Sequence, residues 1–205
     1  MNSQNTVQKT KGAFPWLIMI LMSSVTFVGI LSELMPSGVL PQIMADLNIS
    51  EVETGNLVGY YAIASAIFAF PLISVTMQFN RKYLLLILLG GFAISNIIVG
   101  LIDNYTLIII LRIIGGICAG VMWPMIAAYG MRLVSKDQHG KAIAVIMAGS
   151  TLGISIGMPI MTAIGNDYGW RTEFIGLGVF IFIIGLIALI ALPSTPGEKL
   201  TKSSS

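Results

Sequence analysis

The sequence predicts an all-α membrane protein of six transmembrane helices. Composition carries this first: of 205 residues, 56% are hydrophobic and only 10% charged, with a mean hydropathy of +0.89. A soluble domain carries roughly 25% charged residues. Second, six apolar stretches approach or exceed the roughly 20 residues that cross a bilayer. Third, basic residues collect on one side of those stretches and acids on the other.

The first stretch is Phe14–Leu40, interrupted late by Glu33, Pro36 and Gly38. The second, Val52–Met77, has a start signal: Ser50 can cap it while Glu53, three residues on, bonds back. Asn80 follows it and is expected to take the left-handed conformation of a tight turn. The third and fourth are Tyr83–Ile102 and Tyr105–Met131; the fifth and sixth are Ala142–Ile164 and Phe174–Leu192. Short polar connections separate them: Gln42–Glu51, Gln78–Lys82, Asp103–Asn104, Arg132–Lys141 and Gly165–Glu173. Pro193–Ser205 reads as a flexible tail. The expected organisation is a tail over 1–13, a membrane domain over 14–192 and a second tail over 193–205.

Charge placement orients the bundle. Lys9, Lys11, Arg81, Lys82, Arg132, Lys136, Lys141, Lys199 and Lys202 fall on one side. Arg171 falls on the other, with Asp46, Glu51, Glu53, Asp103, Asp167 and Glu173. Cytoplasmic loops carry the excess of Lys and Arg, so both termini are expected in the cytoplasm. The first apolar run is too long for a cleavable signal peptide.

This composition excludes a soluble enzyme or a nucleic-acid binder. Cys118 is the only cysteine and lies in an apolar run, so neither a disulfide framework nor a thiolate metal site is expected. His139, the only histidine, sits in a polar loop. No cofactor is implied.

Glu33 and Arg112 are the two full charges inside the apolar stretches, where a charge costs at least about 2.5–3.5 kcal/mol. Each lies about seven residues from the outer end of its span, or roughly 10 Å deep at 1.5 Å per residue. Opposite charges at matched depth can pair or share a water-filled cavity if spans one and four are neighbours. Two readings stand: a functional pair, or a Glu33 at the interface with Arg112 snorkelling outward. Asp46, in a polar loop before Ser50, reads as solvated.

Glycines form a second pattern. Gly116 and Gly120 recur at a spacing of four in the fourth span; Gly149, Gly153 and Gly157 do so in the fifth, with Pro159 just beyond. That spacing lines one helix face and admits another backbone closely, for static packing or for sliding. Gly165, placed in a connection, is expected to accept a larger residue better than Gly153 does. Pro124 and Pro159 are candidate kinks. The 12 methionines read as packing filler.

Several segments resemble the major facilitator superfamily, in its drug/proton antiporter and sugar-efflux branch, over about Phe14 to Pro193. Leu40-Pro41-Gln42-Ile43-Met44-Ala45-Asp46-Leu47 is similar to the family's Leu-Pro-x-Ile-Ala-x-Asp-Leu segment. Arg112-Ile113-Ile114-Gly115-Gly116 resembles its fourth-span Arg-x-x-x-Gly, whose arginine the resemblance implicates in proton coupling. Gly169-Trp170-Arg171 also looks familial. Two motifs depart: Met77 and Asn80 replace the Asp and Gly of the loop that closes on Arg81-Lys82, and Met158 separates Gly157 from Pro159 in the antiporter motif.

The resemblance implies one half of a facilitator fold, since the family has twelve spans in two related halves with the site between them. It implies a secondary transporter in the plasma membrane, a proton-coupled efflux permease for a small molecule such as a sugar or drug. Glu33 would be the proton site and Arg112 its partner, and antiport is favoured over uniport or symport only by the branch. A second six-helix half is expected as partner, from a copy of this chain or a separate one; a non-transporting remnant is the alternative. A channel would want a selectivity filter, and none is visible. An intramembrane enzyme is disfavoured by the loop position of His139 and by the want of a second intramembrane acid.

Overall fold

The computed structural model describes residues 12–197. Lys9, Lys11, Lys199 and Lys202, with most of both expected tails, lie outside the described residues. Those described form an all-helical bundle with six helices long and apolar enough to cross a membrane. The fold class expected from the sequence is the one observed.

The first span joins α1 (Trp16–Leu34) to a 3-10 turn, Met35–Gly38. Pro36 explains the change of helix type, because it has no N–H to continue the α-helical ladder. A short helix, α2 (Leu40–Leu47), follows and ends at Asn48 in the left-handed conformation, φ 51°. Ser50 then caps α3 (Glu51–Thr76): its Oγ accepts from Glu53 N at 3.2 Å while Ser50 N donates to Glu53 Oε2 at 2.9 Å. This is the capping box the sequence predicts.

Asn80 does not make the expected left-handed turn. Its φ is −60°, and its side chain caps α4 (Arg81–Leu101) by accepting from Lys82 N at 3.0 Å. An extended Asn whose side chain answers an orphan helix N–H is the more favourable use of this residue. Asn104 caps α5 (Tyr105–Arg132) in the same way, accepting from Leu107 N at 3.1 Å. Pro124 lies inside the unbroken α5.

The fifth span runs Lys136–Tyr168 and changes winding midway. After α6 (His139–Leu152), Gly153–Gly157 is a π-helix, and α7 (Met158–Tyr168) completes the crossing. Pro159 accounts for the switch, since its ring crowds the carbonyl one turn back and it has no N–H to give.

The last connection is far shorter than expected. Gly169 alone, at φ 92°, links α7 to α8 (Trp170–Ala191). Glu173 therefore belongs to the sixth span, fully buried, and not to an outer loop. A second acid, buried in the first turn of a helix apolar enough to span, is thus present. Gly165 is likewise helical and packed: a Cβ there would come within 2.6 Å of the Glu173 carboxylate.

Helices α3 and α5, α4 and α8, and α1 and α6 form the main packed pairs. Glycine makes all three contacts close; between α4 and α8 a Cβ on Gly100 or Gly178 would crowd the main-chain oxygen of Arg171 or Ala93 to 2.8 Å. A Cβ on Gly116 or Gly120 would run into the main-chain carbonyls of Tyr61 or Ser65 on α3. Gly149 meets the Ser23 backbone of α1, Gly153 meets Ile30 and Phe27, and Gly157 meets Phe27 and Leu31.

The segment after α8 is not free over its described part. Pro193–Gly197 lies across the bundle end: Tyr129 Oη donates to Pro193 O, Arg81 N to Thr195 O at 2.9 Å and Arg132 Nη1 to Pro196 O at 2.6 Å. Main-chain acceptors hold it, so composition alone gave a misleadingly loose picture.

Candidate functional site

Arg112 lies on α5 among α1, α3 and α4, and is 3% exposed. Its Nη1 donates to Ser32 O at 2.6 Å, its Nη2 to Glu33 O at 2.9 Å and its Nε to Leu57 O at 2.8 Å. The guanidinium also stacks over the Tyr61 ring, 4.4 Å from its centroid. The local cause is again Pro36. In an α-helix its N–H would answer Ser32 O, and proline has none. Ser32 O and Glu33 O are also among the last carbonyls of α1, which carry partial negative charge. Arg112 answers both.

The expected pairing is thus half realised. Structure brings Glu33 and Arg112 together at one depth, but the arginine grips the Glu33 carbonyl, not its carboxylate. The Glu33 side chain is half-buried beside the buried arginine. Around them sit groups the sequence reading missed. Asn96 Nδ2 donates to Ser32 Oγ at 2.9 Å and to Phe92 O at 2.8 Å, and Tyr61 is fully buried. Ser95-Asn96 inside an apolar run was the available signal.

The remaining candidates lie elsewhere. Asp46 is not merely solvated: its Oδ2 accepts from Trp170 Nε1 at 3.0 Å and Arg171 Nη2 at 3.1 Å. Arg171 also reaches Asp103 Oδ1 at 2.5 Å and Ile102 O at 2.8 Å. This polar cluster joins α2 to the start of α8. Folding of 40–47 as a helix is what brings Asp46 there, and residues about 125 apart give no local cue. Arg81, buried, and Lys82, half-buried, begin α4 at the opposite end. Gly116 and Gly120 sit on the α3 contact; Gly149, Gly153 and Gly157 sit on the α1 contact, with Pro159 opening α7.

Residues 22–205 match the model of the Major Facilitator Superfamily. In fold the chain is similar to the proton:xylose symporter XylE bound to 6-bromo-6-deoxy-D-glucose, at TM-score 0.76 and 17% identity, over 88% of this chain and 45% of that one. It is similar to the POT family transporter PepTSo at TM-score 0.77 and 13% identity, over 93% and 40% of the two chains. A bacterial homolog of the human lysosomal transporter Spinster matches at TM-score 0.70 and 16% identity, over 92% and 45%. The chain spans less than half the length of each of these transporters.

Fold and spans define a multi-pass α-helical membrane protein built like one half of a transporter. The chain belongs to the major facilitator superfamily.

Proposed function

We propose that this chain is one half of a secondary active transporter that couples proton movement to efflux of a small molecule such as a sugar or drug. The carrying observation is the buried Arg112, bonded to the carbonyls of Ser32 and Glu33 while the Glu33 carboxylate stays half-buried beside it. A carboxylate near a buried cation, yet not locked to it, can take up and release a proton as its access to water changes. Glu33 is then the proton site, and Arg112 holds the end of α1 in place.

The working protein includes a second six-helix half, from a copy of this chain or a separate chain. Only 11% of the most apolar stretch of the second span and 22% of that of the fifth are buried within the chain, against 56% for the third. Those two spans therefore offer the faces for a partner. The positive-inside distribution favours both termini in the cytoplasm, with a membrane domain over 14–192 set in the plasma membrane, as the family resemblance implies.

Proteoliposomes containing the chain and its partner half test the reading. With a pH gradient imposed, the parent should accumulate substrate, and Glu33→Gln should only equilibrate it. Undiminished accumulation by Glu33→Gln removes the coupling role. The remnant alternative is favoured instead if no candidate half co-purifies and no solute moves with or without a gradient.

A further inference from the structure

A cavity of about 290 Å³ lies between α1, α7 and α8, apart from Glu33 and Arg112. Its walls include Phe27 and Leu31 of α1, Met161 and Ile160 of α7, and Phe180 of α8. One charged side chain lines it: Glu173, fully buried, with no hydrogen-bond partner for either carboxylate oxygen among the described residues. The backbone of α7 leaves room for the acid, for at Gly165 a Cβ would crowd Glu173 Oε2 to 2.6 Å.

Nothing on the surrounding helices supplies a counter-charge. Glu33 is the only charge on α1, Asp46 the only one on α2 and Asp167 the only one on α7. On α8, Arg171 is taken by Asp46, Asp103 and Ile102 O. On α5, Arg112 is bonded to carbonyls of Ser32, Glu33 and Leu57. Arg81 and Lys82 of α4 stand at the opposite end of the bundle. A lone buried carboxylate carries a desolvation cost that nothing around it compensates.

We propose that this cavity binds a small apolar molecule bearing a protonated amine, with Glu173 as its counter-ion. Both carboxylate oxygens are sealed from a water-sized probe, so the Glu173 side chain turns into the cavity to meet the ammonium, which supplies the missing charge and donors; the aliphatic and aromatic walls take the body. The volume equals about ten waters' share of liquid, enough for one ring and a short chain. An aminophospholipid headgroup fits poorly, because its phosphate would bring like charge to the acid. Ile160 and Phe180, both exposed on this chain, leave a way in between α7 and α8.

The test uses the full chain in phosphatidylcholine nanodiscs and reads binding, so it stands apart from the transport reading. The probes are 3-phenylpropylammonium and its neutral isostere 3-phenylpropanol. The parent should prefer the ammonium by about tenfold or more, the worth of a charge-assisted hydrogen bond. Glu173→Gln should erase that preference and leave the alcohol's affinity unchanged. At Gly176, which lines the cavity, a Cβ meets nothing within 4 Å, so Gly176→Leu should fold, fill the space and weaken both probes. Equal affinity for the two probes in the parent overturns the proposal, even if Glu173→Gln fails to fold. So does a preference that survives Glu173→Gln or is lost in Glu33→Gln instead, or binding unchanged by Gly176→Leu.

Discussion

Replacing Gly149 by alanine is the sharpest test of how α6 sits on α1. The new Cβ would lie 2.7 Å from the Ser23 carbonyl carbon and closer still to its oxygen and to Thr26 Oγ1. An ordinary contact begins near 3.4 Å, so α6 must withdraw by about 1.5 Å to clear the Ser23 oxygen, the nearest atom. A gap of that size forfeits more than about half of the dispersion energy across the contact. In a bilayer that term matters more than usual, because lipid tails offer no hydrophobic drive to hold helices together. Withdrawal also stretches the bond that Thr26 Oγ1 donates to Ile146 O at 2.5 Å, worth about 1 kcal/mol. With overpacking costing about 1–3 kcal/mol, the expected loss is about 2–4 kcal/mol. Gly59→Ala is the control: nothing lies within 4 Å of a Cβ there, and alanine gains about 1 kcal/mol of helix propensity. Unfolding in mixed micelles, followed by circular dichroism against the fraction of dodecyl sulfate, measures both. Equal stability of the two variants would refute the close-contact reasoning.

Gly165→Ala should also destabilise, by about 1–2 kcal/mol, because it crowds Glu173 and Val39; the same unfolding assay reads it. A double-mutant cycle on Asp46→Asn and Arg171→Gln should give a coupling of about 0.5–1 kcal/mol that shrinks with added salt, since both side chains are partly exposed. Tyr129→Phe removes the donor to Pro193 O and should speed proteolysis within 193–197, read by mass spectrometry, while leaving the bundle's own unfolding within about 1 kcal/mol of the parent. Reporter fusions after Lys136 and Ser205 should read cytoplasmic and one at Asp167 external; a single inversion breaks the orientation.

What the sequence revealed and concealed follows from the range of the interactions. Apolar runs and the Ser50–Glu53 box are local, so the spans and the start of α3 were legible within a few residues. The nearness of Arg112 to Glu33 is legible too, from their matched depth, whereas the sequence leaves open whether the arginine is buried or snorkels outward. Its acceptors were not legible, since main-chain carbonyls carry no residue label. Glu173 was misplaced because Trp170-Arg171-Thr172-Glu173 looks like a loop; one glycine makes the whole turn, and Arg171 is neutralised by acids far away in sequence. The described tail residues were misjudged for the same reason as Arg112: the groups that hold them are mostly backbone.

Gly169 has a mechanical consequence. A single residue spans only about 3.8 Å between neighbouring Cα atoms, so the facing ends of α7 and α8 are tethered with no slack. Their other ends, at the π-helix and at Ala191, carry no such tether. Any separation of the two helices must therefore be a splaying, narrow near Glu173 and wide toward the far end. Bodies longer than one ring would be admitted head-first from that wide end, the polar group reaching the place where the two helices cannot part.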